Sequence, residues 1–90
     1  MKFAVIDLET TGLNPVSDRI TEIGIVFIEG HQQTGTFESL FNPEVSIPLK
    51  ISLLTGIDNK LVKEQPVFEN LAEKIILDIK ELMNGMQVKA

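Results

Sequence analysis

The segment Lys2–Leu8 is a nearly continuous apolar run of strand-forming residues, and it ends in two carboxylates, Asp7 and Glu9. Such a run suits a strand buried on both faces in the middle of a sheet. Side chains alternate along a strand, so Asp7 and Glu9 share one face, about 7 Å apart. Two carboxylates in that position repel each other and are costly to bury unpaired. A divalent cation between them reverses the cost. Hard oxygen ligands suit Mg²⁺ or Mn²⁺, which leave coordination positions for water and phosphate. An Asp-x-Glu triplet alone is a weak signal, arising by chance in about one chain in four of this length. Its place at the C-terminal end of an apolar strand strengthens it, because ligand sites of α/β sheets gather there.

The remaining composition narrows the alternatives. Ninety residues give one small domain with a modest core. With no cysteine there is no disulfide, thiolate metal site or cysteine nucleophile. No apolar run approaches the roughly 20 residues that span a bilayer. The stretch Phe3–Ile6 is broken too early by Asp7 and Glu9 for a signal peptide. The expectation is a cytoplasmic protein with no membrane partner. Residues 1–45 carry Lys2 and Arg19 against seven acidic groups, whereas residues 46–90 carry six of each sign. All of the excess negative charge is in the first half. That opposes a broad basic footprint for nucleic acid, but not a nucleic-acid enzyme whose acidic site is neutralised by metal.

The pattern predicts an α/β chain with three mostly antiparallel strands at about residues 2–9, 19–29 and 34–41. Gly30-His31-Gln32-Gln33 forms a turn between the last two, which pair as a hairpin. Ile47–Thr55 reads as a short helix with Ser46 as a cap and Gly56 as its stop, and Asp58 caps a further turn at Asn59–Val62. The strongest periodicity comes last. Phe68, Leu71, Ala72, Ile75, Ile76, Ile79, Leu82 and Met83 mark one face of a long amphipathic helix at about 67–84, with Pro66 at its start and Gly85 at its end. Only Met86–Ala90 follow, so the chain is expected to stop where a helix would return to the sheet.

The ordered run FAVIDLETTGLNP, DRITEIGIV, LFNPEVSIP, LTGI and PVFENLAEKI, spread over residues 3–83, resembles the first half of the DEDD-type 3′–5′ exonucleases. Within them it is most similar to the proofreading epsilon subunit and the polymerase-linked exonuclease domains of bacterial DNA polymerase III. Thr10 stands where oligoribonucleases, a sister group, usually carry Met, which favours the polymerase-associated branch. The resemblance implies a ribonuclease H-like exonuclease fold and metal-dependent phosphodiester hydrolysis at nucleic-acid 3′ ends, with DNA ahead of RNA as substrate and a polymerase subunit as a partner. It makes Asp7 and Glu9 the catalytic metal ligands of a two-metal Mg²⁺ or Mn²⁺ site, in which one ion activates water and the other stabilises the leaving oxygen. It places Thr10, Thr11, Gly12 and Leu13 along the terminal nucleotide. Backbone N–H groups near Thr10 and Thr11 meet the 3′ hydroxyl, Gly12 permits close approach, and Leu13 wedges against the terminal base. Core packing is an equally weighted reading of Leu13. Glu22 is either a group that orders the first loop or a carboxylate facing solvent on a half-exposed sheet.

Asp18 and Arg19 read as a turn and a surface ion pair of little worth. His31, the only histidine, reads as a solvated turn residue, and Asp78 as a solvated position on the long helix. The family's second and third motifs supply another aspartate, a histidine and a last aspartate. These are expected beyond residue 90, so residues 1–90 would be the N-terminal part of one exonuclease domain, with two of five functional positions. Three readings follow: a fragment weakly active or inactive alone, a non-catalytic module binding nucleic acid, a polymerase or a second copy, and a chain that acts once another supplies the later motifs. In each, the free edge of Lys2–Leu8 is expected to be a template for self-association.

Overall fold

The structure, a computed structural model, describes residues 1–82 and 87–89. Strands β1 (Lys2–Thr10), β2 (Ile20–Glu29) and β3 (Gln32–Leu40) precede helices α1 (Leu49–Thr55), α2 (Asn59–Val62) and α3 (Phe68–Leu82) and a last strand β4 (Gln87–Lys89). The sheet order is β3-β2-β1-β4. The antiparallel meander of the first three strands followed by helices is the architecture that the residue pattern predicts.

The hairpin turn is tighter than Gly30–Gln33. Gly30, at φ 64°, and His31 suffice to reverse the chain, and Gln32 already pairs with Glu29. A positive φ of this kind suits glycine in a two-residue hairpin turn. The additional residue is absorbed further on, where Phe27 pairs with Gly35 and Ile28 with Gln33. Thr34 is the residue left over, and its hydroxyl donates to the Phe27 carbonyl at 3.3 Å.

The chain does return to the sheet. β4 lies parallel to β1, with Phe3, Ala4 and Val5 opposite Gln87, Val88 and Lys89. The expected free edge of Lys2–Leu8 is therefore paired over Phe3–Val5, and its unpaired part among the described residues begins at Ile6. β1 is central, but it is not buried on both faces. Ala4 is buried, while Val5 on the opposite face is 44% exposed. The reason is the placement of the helices. Ile75 of α3 packs with Ala4, Ile23, Ile25 and Phe27, joined by Phe68, Leu71 and Ile79, and covers a single face of the sheet. The Phe41 and Phe68 rings meet edge to face at 5.2 Å, closing the end of that core. Ile76, assigned to the same stripe from the sequence, is 52% exposed, because the packed stripe is narrower than the apolar periodicity. The predicted helix positions Met83 and Asn84 and the Gly85 stop lie outside the described residues.

A satellite core of Ile47, Ile57 and Val62 holds α1 and α2. Pro48, not Ser46, precedes α1, which begins two residues later than predicted. Gly56 ends it as expected, in the left-handed region at φ 77° with its N–H donating to the Ser52 carbonyl at 2.8 Å. The Asp58 carboxylate caps α2 by accepting from the Leu61 N–H at 2.8 Å. Asparagines tie these helices to the rest. Asn59 Oδ1 accepts from the Ile47 N–H at 2.8 Å, and the Asn42 N–H donates to the Pro66 carbonyl at 2.9 Å.

Candidate active site

Cross-strand partners share a sheet face. Asp7 stands opposite Gly24, which in turn stands opposite Glu38, and Glu9 stands opposite Glu22. The register thus gathers Asp7, Glu9, Glu22 and Glu38 on the face that α3 does not cover. Asp7 is exposed and Glu9 half-buried, both within reach of solvent and of a bound group. Gly24 leaves the space beside Asp7 open, since a Cβ there would meet nothing within 4 Å.

Glu22 is the carboxylate that this arrangement perturbs. Partial burial, then the charges of Glu38, Glu9 and Asp7, hold its carboxyl above the ordinary value of 4.5. It is half-exposed on the open face of the sheet, among three other carboxylates. Glu38 was missed from the sequence, because its place beside Gly24 depends on a register that alternation alone does not fix. Among the described residues, no three His, Cys, Asp or Glu side chains are grouped so as to hold a metal ion. A cation at this face would rest on Asp7 and Glu9 and complete its coordination with water and substrate oxygens, as Mg²⁺ and Mn²⁺ commonly do.

The end of β1 stays paired with β2 but shifts register. Glu9 pairs with Glu22 but Thr10 with Ile20, which leaves Thr21 as a bulge. The loop that follows is closed by side chains. The Thr11 hydroxyl donates to Asp18 Oδ1 at 2.7 Å and accepts from the Arg19 N–H at 3.0 Å. The Thr11 N–H donates to the Arg19 carbonyl at 2.9 Å. Thr11 is therefore buried, and its N–H is engaged within the protein. Of the expected substrate contacts, this one is unavailable in the structure. Thr10 turns its hydroxyl to the Gly12 carbonyl. Leu13 is fully exposed at 101%, which excludes the core-packing reading of that residue.

Asp18 is more than the surface turn residue the sequence suggested. Its hydrogen bonds from the Thr11 hydroxyl and the Asn14 N–H hold its carboxyl below the usual value of 3.8. Arg19 reaches Glu69 instead, at 3.6 Å across solvent. His31 is exposed in the hairpin turn, and Asp78 accepts from Lys74 at 3.1 Å one turn away on α3. A cavity of about 460 Å³ lies between β3 and α3, lined by Ile25, Phe27, Phe37, Ile75 and Ile79. It belongs to the other face of the sheet and holds neither Asp7 nor Glu9.

The model of the RNase_T family, described as an exonuclease, matches residues 4–89. The chain belongs to this exonuclease family. It is 43% identical over 75 residues to the PolC-type DNA polymerase III of Caldanaerobacter subterraneus subsp. tengcongensis, covering 83% of this chain and 5% of the relative. It is 45% identical over 85 residues to the 3′–5′ exonuclease DinG of Bacillus subtilis, covering 93% of this chain and 9% of that protein. Among solved structures, the nuclease domain of 3′hExo, a DEDDh family member bound to rAMP, superposes with a TM-score of 0.76 at 25% identity, over 89% of this chain and 44% of that one. Cell-death related nuclease 4 superposes with a TM-score of 0.80 at 14% identity, a likeness of fold alone. The fold is thus that of the ribonuclease H-like exonucleases, and the chain spans less than half the length of each of these relatives. The DinG branch was not anticipated from the sequence. No described helix is long and apolar enough to cross a membrane.

Proposed function

We propose that residues 1–90 form the N-terminal part of an exonuclease domain that acts in metal-dependent 3′–5′ hydrolysis of nucleic acid. The observation that carries this reading is the placing of Asp7 and Glu9 on the open sheet face, with a projecting Leu13 in the loop that follows the same strand. Asp7 and Glu9 would hold Mg²⁺ or Mn²⁺, whose chemistry when bound is to activate water and to stabilise the leaving 3′ oxygen. Asp7 and Glu9 also fix where the scissile phosphate lies. Leu13 supplies an apolar edge against which the terminal base stacks, and Thr10 and Gly12 offer backbone at close range to its sugar. Glu22 adds to the negative charge that a cation at this face would neutralise. DNA is the preferred substrate, supported by the PolC-type relative, although the fold neighbours include a 3′-exonuclease that recognises a histone mRNA stem-loop.

With Asp7 and Glu9 engaged as metal ligands and the one histidine in the hairpin turn, hydrolysis by this chain alone is expected near background. The test is trimming of 5′-labelled single-stranded DNA in Mn²⁺, with and without a polypeptide carrying the later motifs of the PolC-type relative. The expected result is 3′-end shortening in the mixture, lost when this chain carries Asp7→Asn. Shortening that survives Asp7→Asn, or none in the mixture, would refute the reading.

A second reading has its own observation. Leu49, Leu53 and Leu54 of α1 are each more than 70% exposed, and the edge of β1 is unpaired beyond Val5 among the described residues. These features suit a non-catalytic module that binds a polymerase or a second copy of the chain.

A further inference from the structure

The loop between β1 and β2 carries Leu13 and Val16 almost wholly in solvent, 101% and 89% exposed, yet it is closely tied internally. The ties converge on one carboxylate. Asp18 Oδ1 accepts from the Thr11 hydroxyl at 2.7 Å, and Oδ2 accepts from the Asn14 N–H at 2.7 Å. The Asp18 N–H donates to the Asn14 carbonyl at 2.9 Å. Thr11, itself only 2% exposed, passes the constraint on by accepting from the Arg19 N–H at 3.0 Å. Gly12 shares in the design. A Cβ at that position would lie 2.5 Å from Asp18 Oδ2 and 2.9 Å from its Cγ, so the carboxylate occupies the space a side chain would need.

We propose that Asp18 is the positioning residue of the 3′-end subsite: its carboxylate locks Thr11 and Asn14 on either side of Gly12-Leu13 and so fixes where Leu13 stands relative to Asp7 and Glu9. This rests on the exonuclease reading above. The physical reason is entropic. A loop nine residues long that had to order on binding would lose affinity to that ordering, and a loop already tied loses little. A carboxylate does this better than an amide, because both of its oxygens accept from the two donors that flank it.

The test uses the whole chain with Mn²⁺ and two fluorescent oligothymidines, one ending in a 3′ hydroxyl and the other in a 3′ phosphate. Amide exchange at Asn14 and Arg19 is followed in parallel. Asp18→Ala and Thr11→Val are expected to accelerate both amides and to reduce the preference for the hydroxyl end about tenfold, the loss of one hydrogen bond to a charged group. Thr11→Ser, which keeps the hydroxyl, is expected to retain both. Exchange at Ile25 and Phe27 shows whether the sheet is intact. If a variant loses that protection too, Gly12→Ala, which displaces the carboxylate without removing it, decides by the same two readings. Faster loop exchange with an unchanged end preference overturns the proposal, as does unchanged exchange. Wild-type chain that binds both ends equally overturns the exonuclease reading, and the positioning role falls with it.

Discussion

At the scale of single residues, charge crowding and its relief set the behaviour of the site. Glu22 is held above its ordinary value by partial burial and by three neighbouring carboxylates, so its ionised form weakens the fold. A carboxyl with a raised folded pKa binds its proton more tightly folded than unfolded, and the cost grows as pH rises from 4.5 through the folded value. Glu22→Gln is therefore expected to raise the melting temperature at neutral pH, with the gain vanishing below 4.5. Thermal melts across that range check it, and an equal effect at both ends would contradict the assignment. Asp18 has the opposite sign. Its contribution is present above 3.8 and lost as pH falls through its lower folded value. Acid titration of the Asn14 amide shift should show a midpoint below 3.8 that moves back towards it in Thr11→Val, because the Thr11 hydroxyl is the largest cause of the shift.

At the scale of elements, α3 decides which apolar residues count. Ile75 is 5% exposed against β1 and β2, whereas Ile76 is 52% exposed. Replacing Ile75 with Ala is expected to cost about 2–5 kcal/mol, since it opens a cavity in the core between α3 and the sheet. Ile76→Ala should stay within about 0.5 kcal/mol. Denaturant melts of the two variants check the pair, and equal losses would mean that the helix is rotated on the sheet. The first three strands and α3 were legible because their patterns run over nine or more residues, and Gly56 and Asp58 because each end of a helix has a specific chemical need. Asp7 and Glu9 were legible because carboxylates interrupt an apolar strand. Asp18 and Glu38 were not. Their importance depends on contacts made across seven residues of loop and across a strand register, and neither leaves a local period. β4 was missed because three residues are too few to show alternation.

At the scale of the molecule, the open face is the main feature. The radius of gyration is 14.2 Å, against about 12 Å for a compact chain of this length, and the longest extent is 40 Å. A single sheet layer with α3 packed on one of its faces fits that elongation. With Phe3–Val5 covered by β4, association through the β1 edge is restricted to Ile6 onwards, next to Asp7 and Glu9. Self-association is thus expected to weaken when Mn²⁺ or an oligonucleotide occupies the site. Light scattering with and without those additions checks this, and association that is indifferent to them would place the contact elsewhere, on the α1 leucines. The central claim is that Asp7 and Glu9 together make a divalent-cation site on this face. Calorimetric titration with Mn²⁺ tests it most directly. The wild-type chain is expected to show weak saturable binding that is lost in Asp7→Asn and in Glu9→Gln but kept in Glu22→Gln and Glu38→Gln, whereas equal binding by the Asp7→Asn/Glu9→Gln double variant would contradict it.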